Sequence, residues 1–182
     1  MASRGAAALA ALGLAACAAP QADLLTRFEA TLAAQDSATA ALGTWCAARG
    51  IAAPARISAT VLSGTQRADP ADLAALLQLD GPPGYRHVRL SCGDAVLSEA
   101  HNWYVPQRLT PAMNAALAAS DIPFGKVAAP LRYTRQRLSS QRGASPGCPA
   151  ATILTHRALL RLPDGAPLAL VTECYTPANL QR

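Results

Sequence analysis

Two segments of the sequence read as antiparallel hairpins, and they restrict the chain to folds built on an antiparallel sheet. "YRHVRLSC" (85–92) and "AVLSEAHNWYV" (95–105) lie on either side of Gly93-Asp94, a pair suited to a tight turn. "ATILTHRALLRL" (151–162) and "PLALVTECY" (167–175) flank "PDGAP" as a second, longer hairpin. With "ARISATVLSG" (55–64) and "LRYTRQRLSS" (131–140), which alternate in the period of a strand, six strands are expected.

Helical patterns precede and interrupt these strands. "ADLLTRFEATLAAQ" places Leu24, Leu25, Phe28 and Leu32 at helical spacing, and "DSATAALGTWCAARG" has Asp36 or Ser37 to begin a helix and Gly50 to end it. Asp69-Pro70 and Thr110-Pro111 open two further helices. A hairpin-connected sheet needs its apolar face covered. The expected fold is therefore α+β, a six-stranded antiparallel sheet with helices on one face, forming a single domain over 18–182.

Composition narrows the function. The chain has 182 residues, 51% of them hydrophobic, enough for one core of ordinary size. Its net charge of +5 comes from scattered arginines and a single lysine, Lys126, and aromatic residues make up 4%. That pattern offers neither a basic stripe nor a stacking platform, so nucleic acid is not an expected partner.

Residues 1–17, "MASRGAAALAALGLAAC", carry Arg4 ahead of an uncharged stretch too short to span a bilayer but long enough for a signal peptide. "LAAC" (14–17) resembles the bacterial lipoprotein processing box, in which the cysteine receives the lipid. On that reading Cys17 is lipidated and the protein sits in the cell envelope, touching the membrane only through its anchor. If the segment is not a signal, the protein is cytoplasmic. Cys46, Cys92, Cys148 and Cys174 remain, an even number compatible with two disulfides or with four buried thiols. Cys92 and Cys174 are partners only if their strands are close. The spacing of cysteines and histidines matches no zinc knuckle, and no metal site is expected.

The order and spacing of "QDSAT", "YRHVRLSCGDAVLSEAHNWYVP", "PFGKV" and "RLPDGAPLALVTECYTP" resemble the chorismate pyruvate-lyase family. The resemblance implies a six-stranded antiparallel sheet with an enclosed ligand pocket, a fold also used as the effector-binding module of some transcription regulators. It implies release of pyruvate from chorismate to give 4-hydroxybenzoate, as in ubiquinone biosynthesis, with no cofactor. It further implies that Glu173 meets the hydroxyl end of an aromatic ligand, that Phe124 contacts the ligand, and that Ala38 stands where the family has a methionine.

One position departs from the family's pattern. Where the family has an arginine that binds a ligand carboxylate, ungapped alignment places His87. His87, Arg89 and Ser91 share one strand face, with Arg89 about 7 Å beyond His87. Arg89, together with His87, is therefore the expected carboxylate clamp, unless that face is solvated. Glu99, His101 and Trp103 share a strand face and read as hydrogen-bonded core, and Arg132, Arg135 and Arg137 do not all face the same way.

Glu173 shares its strand face with Ala169, Val171 and Tyr175. This apolar setting should raise its pKa and suit it to proton relay as the catalytic group. The alternative is a structural carboxylate paired with an arginine. Two functions follow: a chorismate lyase-like enzyme, or an exported, lipid-anchored, non-catalytic binding protein for an aromatic or other small carboxylate. In either case the partner is a small aromatic carboxylate and the protein is expected to be a monomer.

Overall fold

The computed structural model describes residues 15–63 and 68–181, with side chains from residue 22 onward. Residues 1–14 and the side chain of Cys17 lie outside it, so the signal-peptide and lipidation expectations fall beyond the described residues.

Helix α1 (Ala15–Ala33) leads into α2 (Ala38–Arg49). Ser37 caps α2 by accepting from the Ala40 N–H at 3.3 Å, and Gly50, left-handed at φ 61, terminates it. The strands are β1 (Ile57–Val61), β2 (Gly84–Cys92), β3 (Ala95–Tyr104), β4 (Thr134–Arg142), β5 (Leu154–Arg161) and β6 (Pro167–Tyr175). They form one antiparallel sheet in the order β1-β2-β3-β6-β5-β4. The two expected hairpins thus lie side by side, and β6 enters the middle of the sheet with every residue buried.

Burial decides which face looks where. Val88, Leu90, Ala100 and Tyr175 pack with Phe28, Leu42 and Trp45 of α1 and α2. Ala158, Leu160, Ala169 and Val171 pack with Leu117 of α4 (Pro111–Ala119) and Phe124 of α5 (Phe124–Ala128). The opposite face carries Trp103, Leu159 and Leu170, covered by Leu73 and Leu77 of the short α3 (Leu73–Leu77). Among the described residues, four of the five α-helices therefore cover one face, and α3 is set against the other.

An extra residue in β3, Leu97, interrupts the pairing, because Leu90 faces Ser98 while Ser91 faces Val96. This bulge lets Leu97 and Ala100, three positions apart, both reach the helix-side core. Among the described residues, the cysteines form two disulfides, Cys46–Cys92 between α2 and β2 and Cys148–Cys174 between the loop before β5 and β6. Cys92 and Cys174 are not partners, since β3 lies between their strands. The Asp69 carboxylate, expected to cap α3, instead accepts from the Trp103 indole N–H at 2.8 Å.

Candidate functional site: a cavity on the helix side of the sheet

Glu173 points from β6 toward the helices into a small cavity of about 40 Å³, bounded by Val88, Asn102 and Val171 of the sheet and by Thr39 and Gly125 of the helices. Ala38 and Phe124 line the same cavity. The structure thus brings Glu173, Phe124 and Ala38 together.

His87 and Arg89 lie elsewhere. The apolar alternates of β2, Val88 and Leu90, go to the helix-side core, so the residues between them face the other way. There His87 Nε2 meets Glu99 Oε1 at 2.8 Å, and Arg89, half exposed, donates to Glu99 Oε2 at 3.2 Å. The rings of His87 and His101 stack at 4.1 Å, with Trp103 stacked beyond at 5.9 Å. The expected clamp does not share the cavity of Glu173; it belongs to a polar and aromatic ladder on the opposite face.

The β2 arginine on the cavity face is Arg86, one residue earlier. Buried at 4% exposure, its guanidinium donates to the backbone carbonyls of Ser120 at 2.8 Å and Ile122 at 2.9 Å. It pins the loop between α4 and α5 to the sheet.

The partner of Glu173 is Arg135, which the sequence left without a role. Arg135 Nη1 donates to Glu173 Oε1 at 3.0 Å, Nη2 donates to Oε2, and the Tyr175 hydroxyl donates to Oε2 at 2.8 Å. Burial by itself pushes the Glu173 pKa up, but the charge and hydrogen bonds of Arg135 and the bond from Tyr175 outweigh it, and the carboxyl is held below its usual value. The expected upward shift is therefore reversed, because the apolar strand face also receives a guanidinium from two strands away. Asp36 supports the pair by accepting from the Arg135 backbone N–H at 2.9 Å.

His156 completes the cluster. It stands opposite Glu173 on β5, 1% exposed, with its ring edge-on to Tyr175 at 5.4 Å. Burial lowers its pKa to about 4, opposed in part by the Glu173 charge. Tyr133, 8% exposed at the cavity's outer end, has its hydroxyl pKa pushed up by burial against a hydrogen bond with Ser37.

Ser37, Thr39, Gly125 and Tyr133 line both this cavity and an adjoining bowl of about 500 Å³ between α2, the start of β1 and the segment after α5. The inner cavity admits a hydroxyl group or a few waters, whereas the bowl has the volume of an ordinary small-molecule pocket. Among the described residues no group of three or more His, Cys, Asp or Glu side chains is placed to hold a metal ion.

No protein-family model matches the chain. The uncharacterized protein y4mC of Sinorhizobium fredii (strain NBRC 101917 / NGR234) is 37% identical over 174 residues, spanning 84% of this chain and 73% of that one. Among solved structures, the effector domain of PhnF from Mycobacterium smegmatis superposes with a TM-score of 0.52 at 13% identity, over 78% of this chain and 88% of that domain. A structure of PhnF itself gives a TM-score of 0.54 at 12% identity, covering 81% of this chain and 66% of that one. Identities this low show a shared fold alone. The chain belongs to the family of y4mC, and its α+β architecture is the chorismate lyase-like fold of GntR-family effector domains.

Proposed function

We propose that the protein is a binding module for a small aromatic or other carboxylate, taken up on the helix side of the sheet and released unchanged. The observation that carries this reading is the state of Glu173. Both of its oxygens are engaged by Arg135, one of them also by Tyr175, and its pKa is lowered. A carboxylate so held can accept one more hydrogen bond from a ligand hydroxyl, but it is a poor proton relay. The use of this fold as an effector domain in PhnF supports the same reading.

Chorismate lyase activity is the second reading, favoured by the convergence of Ala38, Phe124 and Glu173 on one cavity. Incubation with chorismate separates the two. The binding module retains 4-hydroxybenzoate in equilibrium dialysis and forms none from chorismate; a steady rise in 4-hydroxybenzoate absorbance that is lost in Glu173→Gln makes it a lyase.

We also place the protein in the cell envelope, anchored through Cys17. Two disulfides support an oxidising compartment, and among the described residues no helix is long and apolar enough to cross a membrane. Membrane fractionation tests this: wild type should partition with membranes and Cys17→Ser should not, and equal partitioning of the two contradicts the anchor.

A further inference from the structure

Of the two spaces on the helix side of the sheet, the bowl outside the cavity of Glu173 is the one with room for a ligand, and it has a chemistry of its own. Its wall is formed by small and apolar groups, Ala40 and Gly43 of α2 together with Ala55, Ile57 and Ala129. Arg56, Lys126 and Arg132 stand around it, all exposed. The Lys126 ammonium donates to the Ile57 carbonyl at 3.1 Å. Among the described residues, the guanidinium groups of Arg56 and Arg132 make no hydrogen bond or ion pair that would occupy them. Arg132 is held in the left-handed region at φ 51, a conformation costly for a residue with a side chain, where the backbone turns toward β4. Among the described residues, the one carboxylate lining the bowl, Asp36, is turned to the Arg135 backbone N–H.

The boundary between bowl and inner cavity is built around Gly125. A Cβ at that position would lie 2.8 Å from Ser37 Oγ, 3.0 Å from the Tyr133 hydroxyl and 3.3 Å from Thr39 Oγ1. Two hydroxyl groups from the start of α2 and a third from Tyr133 thus close on Gly125, whose missing side chain leaves space between them. All four residues line both the bowl and the inner cavity.

We propose that the bowl is the compartment for the ligand's body and anionic group, with Arg56 and Arg132 recognising the carboxylate, while the hydroxyl-ringed neck at Gly125 admits only a hydroxyl-sized tip. The ligand class is a two-ended small molecule: an apolar body about the size of one ring, a carboxylate at one end and a hydrogen-bonding oxygen at the other. The carboxylate faces outward and the oxygen points to Glu173. This assignment rests on the binding reading above and specifies where and in which orientation the ligand sits.

Calorimetric titration with 4-hydroxybenzoate and with its uncharged methyl ester tests it. Wild type should bind the anion about tenfold more tightly than the ester, as two guanidinium contacts would give, and Arg56→Gln/Arg132→Gln should erase that preference. Gly43→Leu fills the bowl without touching the inner cavity and should weaken both probes; Gly125→Ala should do the same by crowding the neck. Because Gly125→Ala can disturb folding, Gly43→Leu decides the matter. A charge preference that survives the double substitution, or binding indifferent to Gly43→Leu, overturns the bowl assignment and leaves the binding reading standing. Equal affinity of the wild type for the two probes overturns the anionic assignment. No binding of either probe at millimolar concentration overturns both.

Discussion

Arg135 on β4 and Glu173 on β6 pair across the intervening strand, with Ala158 lying between them on β5. Arg135 stands opposite Leu160, and Glu173 stands opposite His156, so the guanidinium must cross diagonally over the position of Ala158. Both side chains are nearly inaccessible, at 8% and 6% exposure. Removing one partner leaves an uncompensated buried charge, which typically costs about 3–5 kcal/mol. Arg135→Met and Glu173→Leu should each destabilise by that order in urea denaturation, whereas the double variant should recover most of the loss. Additive losses would show that the pair is not the unit of stability.

The same cluster fixes a pH dependence. His156 has its pKa lowered to about 4 from 6.5, so the unfolded chain binds its proton before the folded one does. Stability contributed at neutral pH is therefore lost as pH falls from 6.5 toward 4, by up to about 3 kcal/mol from this one group. Glu173, also depressed, contributes above its ordinary value of 4.5 and loses that contribution as pH falls through its lower folded value. Denaturation of His156→Gln across this range should give a flatter curve than wild type between pH 6.5 and 4; parallel curves would contradict the assignment.

Arg86 and Arg89 should behave in opposite ways. Arg86→Ala removes two hydrogen bonds to the carbonyls of Ser120 and Ile122, which orients the segment leading to Phe124, so it should lower both melting temperature and ligand affinity. Arg89→Ala trims a half-exposed pair on the far face and should leave both unchanged. Loss of affinity in Arg89→Ala with Arg86→Ala intact would restore the clamp expected from the sequence.

Gly84 is covered by its cross-strand neighbour. A Cβ there would lie 2.2 Å from Tyr104 Cζ, inside the ring's own contact distance. Gly84→Ala should therefore destabilise by about 1–3 kcal/mol through displacement of the ring, measurable as a lower melting temperature. Gly43→Ala, where the nearest atom is Ile57 Cγ1 at 3.8 Å, should be tolerated.

Local signals carried much of this fold. β6 coincides with the expected "PLALVTECY", the Gly93 turn adopts φ 55, and Ser37 and Thr110 cap α2 and α4 through their side chains. These features depend on neighbours in sequence, where alternation, turn residues and caps are informative. What the sequence withheld depends on distant segments. The meeting of β3 with β6 in the sheet, the pairing of the cysteines, the placement of α3 on the far face and the reach of Arg135 to Glu173 are all long-range. Which face of β2 looks toward the cavity of Glu173 is readable from Val88 and Leu90, whose apolar side chains mark the core; an ungapped alignment hides that signal by one residue, enough to turn every side chain around.

The most direct measurement is the pattern of amide chemical-shift changes when 4-hydroxybenzoate is titrated into isotope-labelled protein. Binding on the helix side of the sheet predicts changes concentrated at Ser37–Ala40, Gly125 and Tyr133, with the far face around His87 and Glu99 silent. Changes confined to His87, Arg89 and Glu99, or none anywhere on addition of the acid, would contradict it.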